Sequence, residues 1–76
     1  MEKITIEVEW NLPRMEKKKE VFEVIKGTTV AKFLESQPLT IDLNEVMVVY
    51  NGKAAVLTDG ISETGKIILL PVLCGG

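Results

Sequence analysis

With 76 residues, 46% of them hydrophobic and 26% charged, the chain makes a single small globular domain with enough apolar side chains for a core. It has no His and one Cys, which excludes a Ser-His-Asp or Cys-His relay, a structural zinc site and an internal disulfide. A net charge of −2 disfavours nucleic-acid binding, and no apolar run approaches the ~20 residues that span a bilayer. A lone Cys and the lack of a signal-peptide pattern place the expected location in the cytoplasm.

Residues 3–10 alternate strictly: Ile4, Ile6, Val8 and Trp10 against Lys3, Thr5, Glu7 and Glu9. That period of two, carried largely by β-branched residues, predicts a half-buried strand. Asn11-Leu12-Pro13-Arg14 breaks it, because proline has no N–H to give a ladder. The run Glu16-Lys17-Lys18-Lys19-Glu20 reads as a solvated loop, with a docking patch for an acidic partner as the weaker reading. Residues 19–26 predict a second strand, with Phe22 and Val24 on one face and Val21 and Ile25 on the other, and the buried face is left open. Two such runs joined by a polar loop make a hairpin.

Gly27 turns the chain and Thr29 is placed to cap a helix. Val30, Phe33 and Leu34 form one apolar stripe, and Pro38 limits the helix to about Gln37. Alone, so short a helix is unstable, so it must lie on the sheet. Residues 39–45 are irregular, with Leu39, Ile41 and Leu43 placed to tuck beneath the sheet. Val46–Tyr50 is a strand without a polar face. Asn51-Gly52 is a strong hairpin-turn signal, since both residues tolerate positive φ. Lys53–Val56 is a short return strand, Thr58-Asp59-Gly60 and Thr64-Gly65 are turn-like, and 67–70 is a final strand whose pairing Pro71 ends.

Two hairpins thus flank one helix. A right-handed crossover through the helix sets the first and last strands side by side in the middle of a mixed sheet, with the helix on one face. The predicted fold is α+β, a two-layer β-grasp. The expected division is a domain over 1–70 and a C-terminal tail over 71–76.

The remaining chemistry lies at the end, Val72-Leu73-Cys74-Gly75-Gly76. Neither of the last two residues carries a Cβ, so the tail can enter a narrow channel in backbone conformations closed to other residues. Such an end suits a substrate: another enzyme activates the Gly76 carboxylate with ATP and then exchanges AMP for a nucleophile. Counted from Pro71, six residues extend roughly 20 Å, enough to reach a buried pocket while the body docks outside. The alternative reading of the two glycines is an incidental frayed end.

Gly27-Thr28-Thr29-Val30, Phe33-Leu34, Asn51-Gly52-Lys53, Pro71-Val72 and Gly75-Gly76, taken in this order, resemble the ThiS/MoaD group of ubiquitin-like sulfur carriers. The resemblance runs from about residue 20 to the end. The family often has a Gly-Asp turn before its last strand where this chain has Thr64-Gly65-Lys66, and the first hairpin is longer than in compact members. The resemblance implies an adenylating partner that uses ATP and Mg²⁺, a thiocarboxylate at Gly76, and delivery of its sulfur to a synthase or thiolation enzyme for thiamine, molybdopterin or tRNA. The chain itself would then be neither an enzyme nor a cofactor binder. The alternative from a second class is a ubiquitin-like modifier joined through Gly76 to target lysines, and the third is a plain binding module.

Other candidates are weighed against ordinary roles. Cys74 is a small apolar tail residue, or else exchanges disulfides with a partner cysteine during transfer; nothing nearby in sequence lowers its pKa. One helix covers one sheet face, so Ile68 and Leu70 are expected in an exposed apolar patch that docks the adenylating enzyme. Trp10 and Tyr50 read as packing residues. Glu7 and Glu9 read as a solvated face, not a metal site or an acid/base pair.

Overall fold

The computed structural model describes residues 1–12, 16–37 and 45–72. Eight elements follow in order: β1 Lys3–Trp10, β2 Lys18–Ile25, β3 Thr28–Thr29, α1 Val30–Glu35, β4 Val46–Tyr50, β5 Lys53–Ala55, β6 Gly60–Ile61 and β7 Gly65–Pro71. Five strands make one sheet in the order β2-β1-β7-β4-β5, while β3 and β6 pair separately. β1 and β7 run parallel at the centre, with Ile6 opposite Gly65 and Trp10 opposite Leu69. Every other pairing is antiparallel. This is a two-layer α+β, ubiquitin-like β-grasp fold with a mixed sheet.

The inner face forms as the alternation of β1 requires. Ile4, Ile6, Val8 and Trp10 are all buried, together with Val48, Ile67 and Leu69 from the neighbouring strands. On β2 the face left open by the sequence resolves inward for Phe22 and Val24; Val21 and Ile25 point out. Phe22 meets Phe33 of α1 edge-to-face, with ring centroids 5.3 Å apart, the favourable arrangement for two ring quadrupoles. Val30, Phe33 and Leu34 bring the apolar stripe of α1 into the same core.

Helix α1 begins at its expected cap. The Thr29 hydroxyl accepts a hydrogen bond from the Lys32 N–H at 3.2 Å, satisfying one of the orphan donors of the first turn. It ends earlier than Gln37, at a Ser36 C-cap whose hydroxyl donates to the Phe33 carbonyl at 2.6 Å. Ser36 withdraws that carbonyl from the helix before Pro38, a residue outside those described, can act. Leu39, Ile41 and Leu43 also lie outside the described residues.

The second hairpin turns as its sequence demands, with φ of 50° at Asn51 and 83° at Gly52. Two segments read as turns contribute strands instead. Gly60 and Ile61 pair with Thr29 and Thr28, and Gly65 opens β7. Ile61 is 0% exposed and so is a full member of the core. The return strand β5 stops at Ala55, one residue short, because the Val56 N–H turns away to the Asp59 carboxylate at 3.0 Å.

Proline 71 does not end the pairing. It sits opposite Val46, and the Val72 N–H still donates to the Glu45 carbonyl at 2.9 Å. The direction of Pro71 explains this. Leu69 turns its carbonyl to β1, accepting from Asn11 N–H at 3.0 Å. Backbone groups alternate along a strand, so Pro71 also faces the β1 side, and β1 has already ended at Trp10. The missing N–H therefore costs no ladder bond.

Candidate functional site

The expected reacting residues Gly76 and Gly75, and Cys74 beside them, lie outside the described residues. What the structure does position is the root of that segment. β7 carries the chain along the middle of the sheet between β1 and β4, and the last ladder hydrogen bond is that of Val72. Four residues follow Val72, and they span at most about 13 Å. This is shorter than the reach counted from Pro71.

The surface beside this root is the outer face of the sheet. On β7, Ile67 and Leu69 point into the core, which turns Lys66, Ile68 and Leu70 outward. Ile68 lies between Glu9 of β1 and Val49 of β4, and Leu70 lies opposite Met47. Ile68 and Leu70 are half-buried rather than open. Beside them, Met47 at 45% and Val72 at 37% exposure are more accessible. The sequence reading missed both. Met47 has no polar alternation around it to mark its direction, and Val72 was taken to lie beyond the sheet. The patch is therefore broader than Ile68 and Leu70 alone, and it runs along β7 and β4 toward Val72.

A charged margin borders the patch on the β1 side. Lys66 Nζ lies 3.8 Å from Glu7 and 3.3 Å from Glu9. Lys19 approaches Glu9 at 3.9 Å, and Asn11 Nδ2 donates to Glu9 at 2.6 Å. The Asn11 amide and the Lys66 ammonium hold the Glu9 carboxyl below the usual carboxylate range. Glu7 and Glu9 thus belong to a solvated ion-pair face. Among the described residues, no group of three or more His, Cys, Asp or Glu is placed to hold a metal ion.

The end of β7 opposite Val72 is clamped. Asn51 donates its N–H to the Lys66 carbonyl and accepts from the Lys66 N–H through Oδ1, each at 2.9 Å. The Tyr50 hydroxyl donates to the Glu63 carbonyl and accepts from the Glu63 N–H. Both clamps fix where β7 starts, and hence the level at which it releases Val72. Tyr50 is thereby a packing residue with a tethered hydroxyl, and Trp10 is a core residue. No helix among the described residues is long and apolar enough to cross a membrane.

No protein-family model matches the chain, and no curated protein matches it in sequence. Solved structures do match. The ubiquitin-like domain of Arabidopsis thaliana protein At2g32350 superposes with a TM-score of 0.63 at 16% identity, over 96% of this chain and 83% of that one. SAMP1 from Haloferax volcanii gives 0.61 at 18% identity, over 95% of this chain and 99% of its own. Caldiarchaeum subterraneum ubiquitin gives 0.55 at 16% identity, over 95% and 99%. At such identities the likeness is one of fold.

Proposed function

We propose that this chain is a carrier of the ThiS/MoaD type, a substrate and not a catalyst, whose Gly76 carboxylate is activated by a partner enzyme. The carboxylate displaces pyrophosphate from ATP, with Mg²⁺ on the partner, to give an acyl-adenylate. A persulfide sulfur then attacks the carbonyl and AMP leaves, giving an acyl disulfide. A thiol cleaves that disulfide, releasing the thiocarboxylate and forming a disulfide with the donor's remaining sulfur. A synthase or thiolation enzyme takes the sulfur. Gly75 keeps the approach open, and Cys74 has no required part.

The observation that carries this reading is the sheet's outer face leading to Val72. An apolar strip of Met47, Ile68 and Leu70 runs to the last paired residue of a chain that reads Gly75-Gly76 four residues on. A partner that docks on this strip lies next to the point where the paired part of β7 ends. The structural likeness to SAMP1 and to an archaeal ubiquitin supports a carrier or modifier in general. The modifier reading, in which a lysine amine displaces AMP at the same carbonyl, shares the docking face and the activation step.

ATP–pyrophosphate exchange with an adenylating enzyme of the ubiquitin-activating type from the same cells tests this. Exchange is expected with the native chain and a loss of about tenfold or more with Ile68→Asp, since a buried apolar contact replaced by a charge costs well over 1 kcal/mol. The variant's far-UV circular dichroism should remain native. Equal exchange by a folded Ile68→Asp variant removes the docking assignment, and no exchange by the native chain removes the activation step.

A further inference from the structure

The second strand has an open side. β2 ends the five-stranded sheet, and none of the described residues pairs with its outward edge. Its eight residues make it, with β1, the longest strand of the fold. Such an edge is a template for another strand unless it is guarded.

The register identifies which backbone groups face outward. The Lys26 N–H donates to the Glu2 carbonyl at 2.8 Å, so Lys26 turns toward β1. Alternation then turns Val24, Phe22 and Glu20 toward β1 as well, and turns the N–H and C=O groups of Lys19, Val21, Glu23 and Ile25 outward, where no strand among the described residues pairs with them. The side chains of these same four residues lie on the outer face of the sheet. Val21 is 67% exposed at mid-strand.

Read antiparallel to itself, this edge is self-complementary. Pairing Val21 with Val21 of a second copy sets Lys19 opposite that copy's Glu23, and Glu23 opposite its Lys19. Each of these pairs exchanges two backbone hydrogen bonds, because all three residues turn their backbone groups outward. Opposite charges therefore meet on both sides of an apolar centre. The neighbouring register centred on Glu20 sets Glu20 against itself. The one centred on Phe22 sets Glu23 against Val21 and Lys19 against Ile25. Of the three, only the Val21-centred alignment matches charge to charge between residues that both lie within β2; the Glu20-centred one pairs Glu23 only with Lys17, which precedes the strand. Helix α1 flanks the Phe22–Ile25 end of β2, across a groove lined by Phe22, Ile25, Lys32 and Phe33. A two-fold axis at Val21 places the two helices toward opposite ends of the joint sheet.

We propose that β2 is the interface of a two-fold, edge-to-edge dimer of this chain, with Val21 at the axis and Lys19 opposite Glu23 of the second copy. The contact is small, so the dimer is weak, with a Kd on the order of 0.1 mM. It leaves the Met47–Leu70 side of the sheet free and is independent of any chemistry at Gly76.

Sedimentation equilibrium of the full chain, with reductant present to exclude a Cys74 disulfide, tests the proposal. The native chain should dimerise with rising concentration up to about 1 mM, and less so in high salt. Val21→Pro removes an outward N–H that β1 does not use and should abolish dimerisation. Lys19→Glu should raise Kd about tenfold by setting like charges opposite each other at two places. The double variant Lys19→Glu/Glu23→Lys should recover most of that loss. Circular dichroism establishes that each variant is folded; if Val21→Pro is not, the charge pair decides. A native chain that stays monomeric throughout overturns the proposal and leaves the edge to a foreign strand. A dimer that survives Lys19→Glu unchanged, or a folded double variant that regains nothing, overturns it equally.

Discussion

Asn51 does two things that conflict unless Gly65 faces it. Its backbone takes a φ of 50° to turn the hairpin, and its side chain reaches across to the Lys66 N–H at 2.9 Å. A Cβ on Gly65 would stand 1.8 Å from Asn51 Oδ1. Gly65→Ala should therefore destabilise the domain by about 1–3 kcal/mol, as overpacking does. Adding Asn51→Gly, which tolerates the turn and removes the obstructing amide, should make the alanine much less costly. A double-mutant cycle in urea measures the coupling, and additive effects would mean that the contact does not constrain the turn. Glu9 is the second residue whose surroundings make a prediction. Its carboxyl titrates lower in the folded chain than the ordinary 4.5, so its charged form favours folding above that pH and the contribution is lost as pH falls through the lowered value. Replacing it by Gln should flatten the fall in stability below pH 4.5, as read by thermal melts at a series of pH values. An unchanged acid limb would show that Asn11 and Lys66 exert no net preference for the charged form.

Elements differ in how much of themselves they show in the sequence. β1 is visible because eight residues allow four turns of the alternation, and Ile4, Ile6, Val8 and Trp10 all go inside. The Asn51-Gly52 turn is visible because its chemistry admits few alternatives. β3 and β6 are two residues each and too short for any period to appear. Their pairing is set by tertiary contact: Gly27 N–H reaches the Ile61 carbonyl at 2.8 Å and Val30 N–H the Asp59 carbonyl at 2.9 Å, tying the start of α1 to the loop before β7. Ile61, which lies between the two turn-like segments and was given no role by the sequence, proves to be a core residue. Ile61→Ala should cost about 2–4 kcal/mol, because it empties a closed site between α1 and the sheet. A loss below 1 kcal/mol in urea denaturation would mean that the site collapses without penalty. Pro71 is a further case in which the local rule was sound and the context decided. The proline lacks an N–H, but it faces the side where β1 has already stopped.

At the scale of the whole molecule, the order β2-β1-β7-β4-β5 places the last strand at the centre, where it is held from both sides up to Leu69 and from one side to Val72. A strand held in this way fixes Val72 relative to the sheet. The two-hairpin topology could be read in advance because each hairpin and the helix announce themselves separately. The breadth of the outer apolar face could not, since Val46–Tyr50 and 67–70 carry no polar residues to show which side chains face outward. The two open features are also separable. The β2 edge and the Met47–Leu70 strip lie on opposite sides of β1, so self-association and docking to an activating enzyme need not compete.

The central claim, that Gly76 is a carboxylate made to be activated, is tested most directly by purifying the protein from its own cells and weighing it intact. A population heavier by one sulfur-for-oxygen exchange, mapped by fragmentation to Gly76, is the expected result. A chain found only unmodified in cells actively using the pathway, or one whose natural sequence continues uncut beyond Gly76, would contradict it.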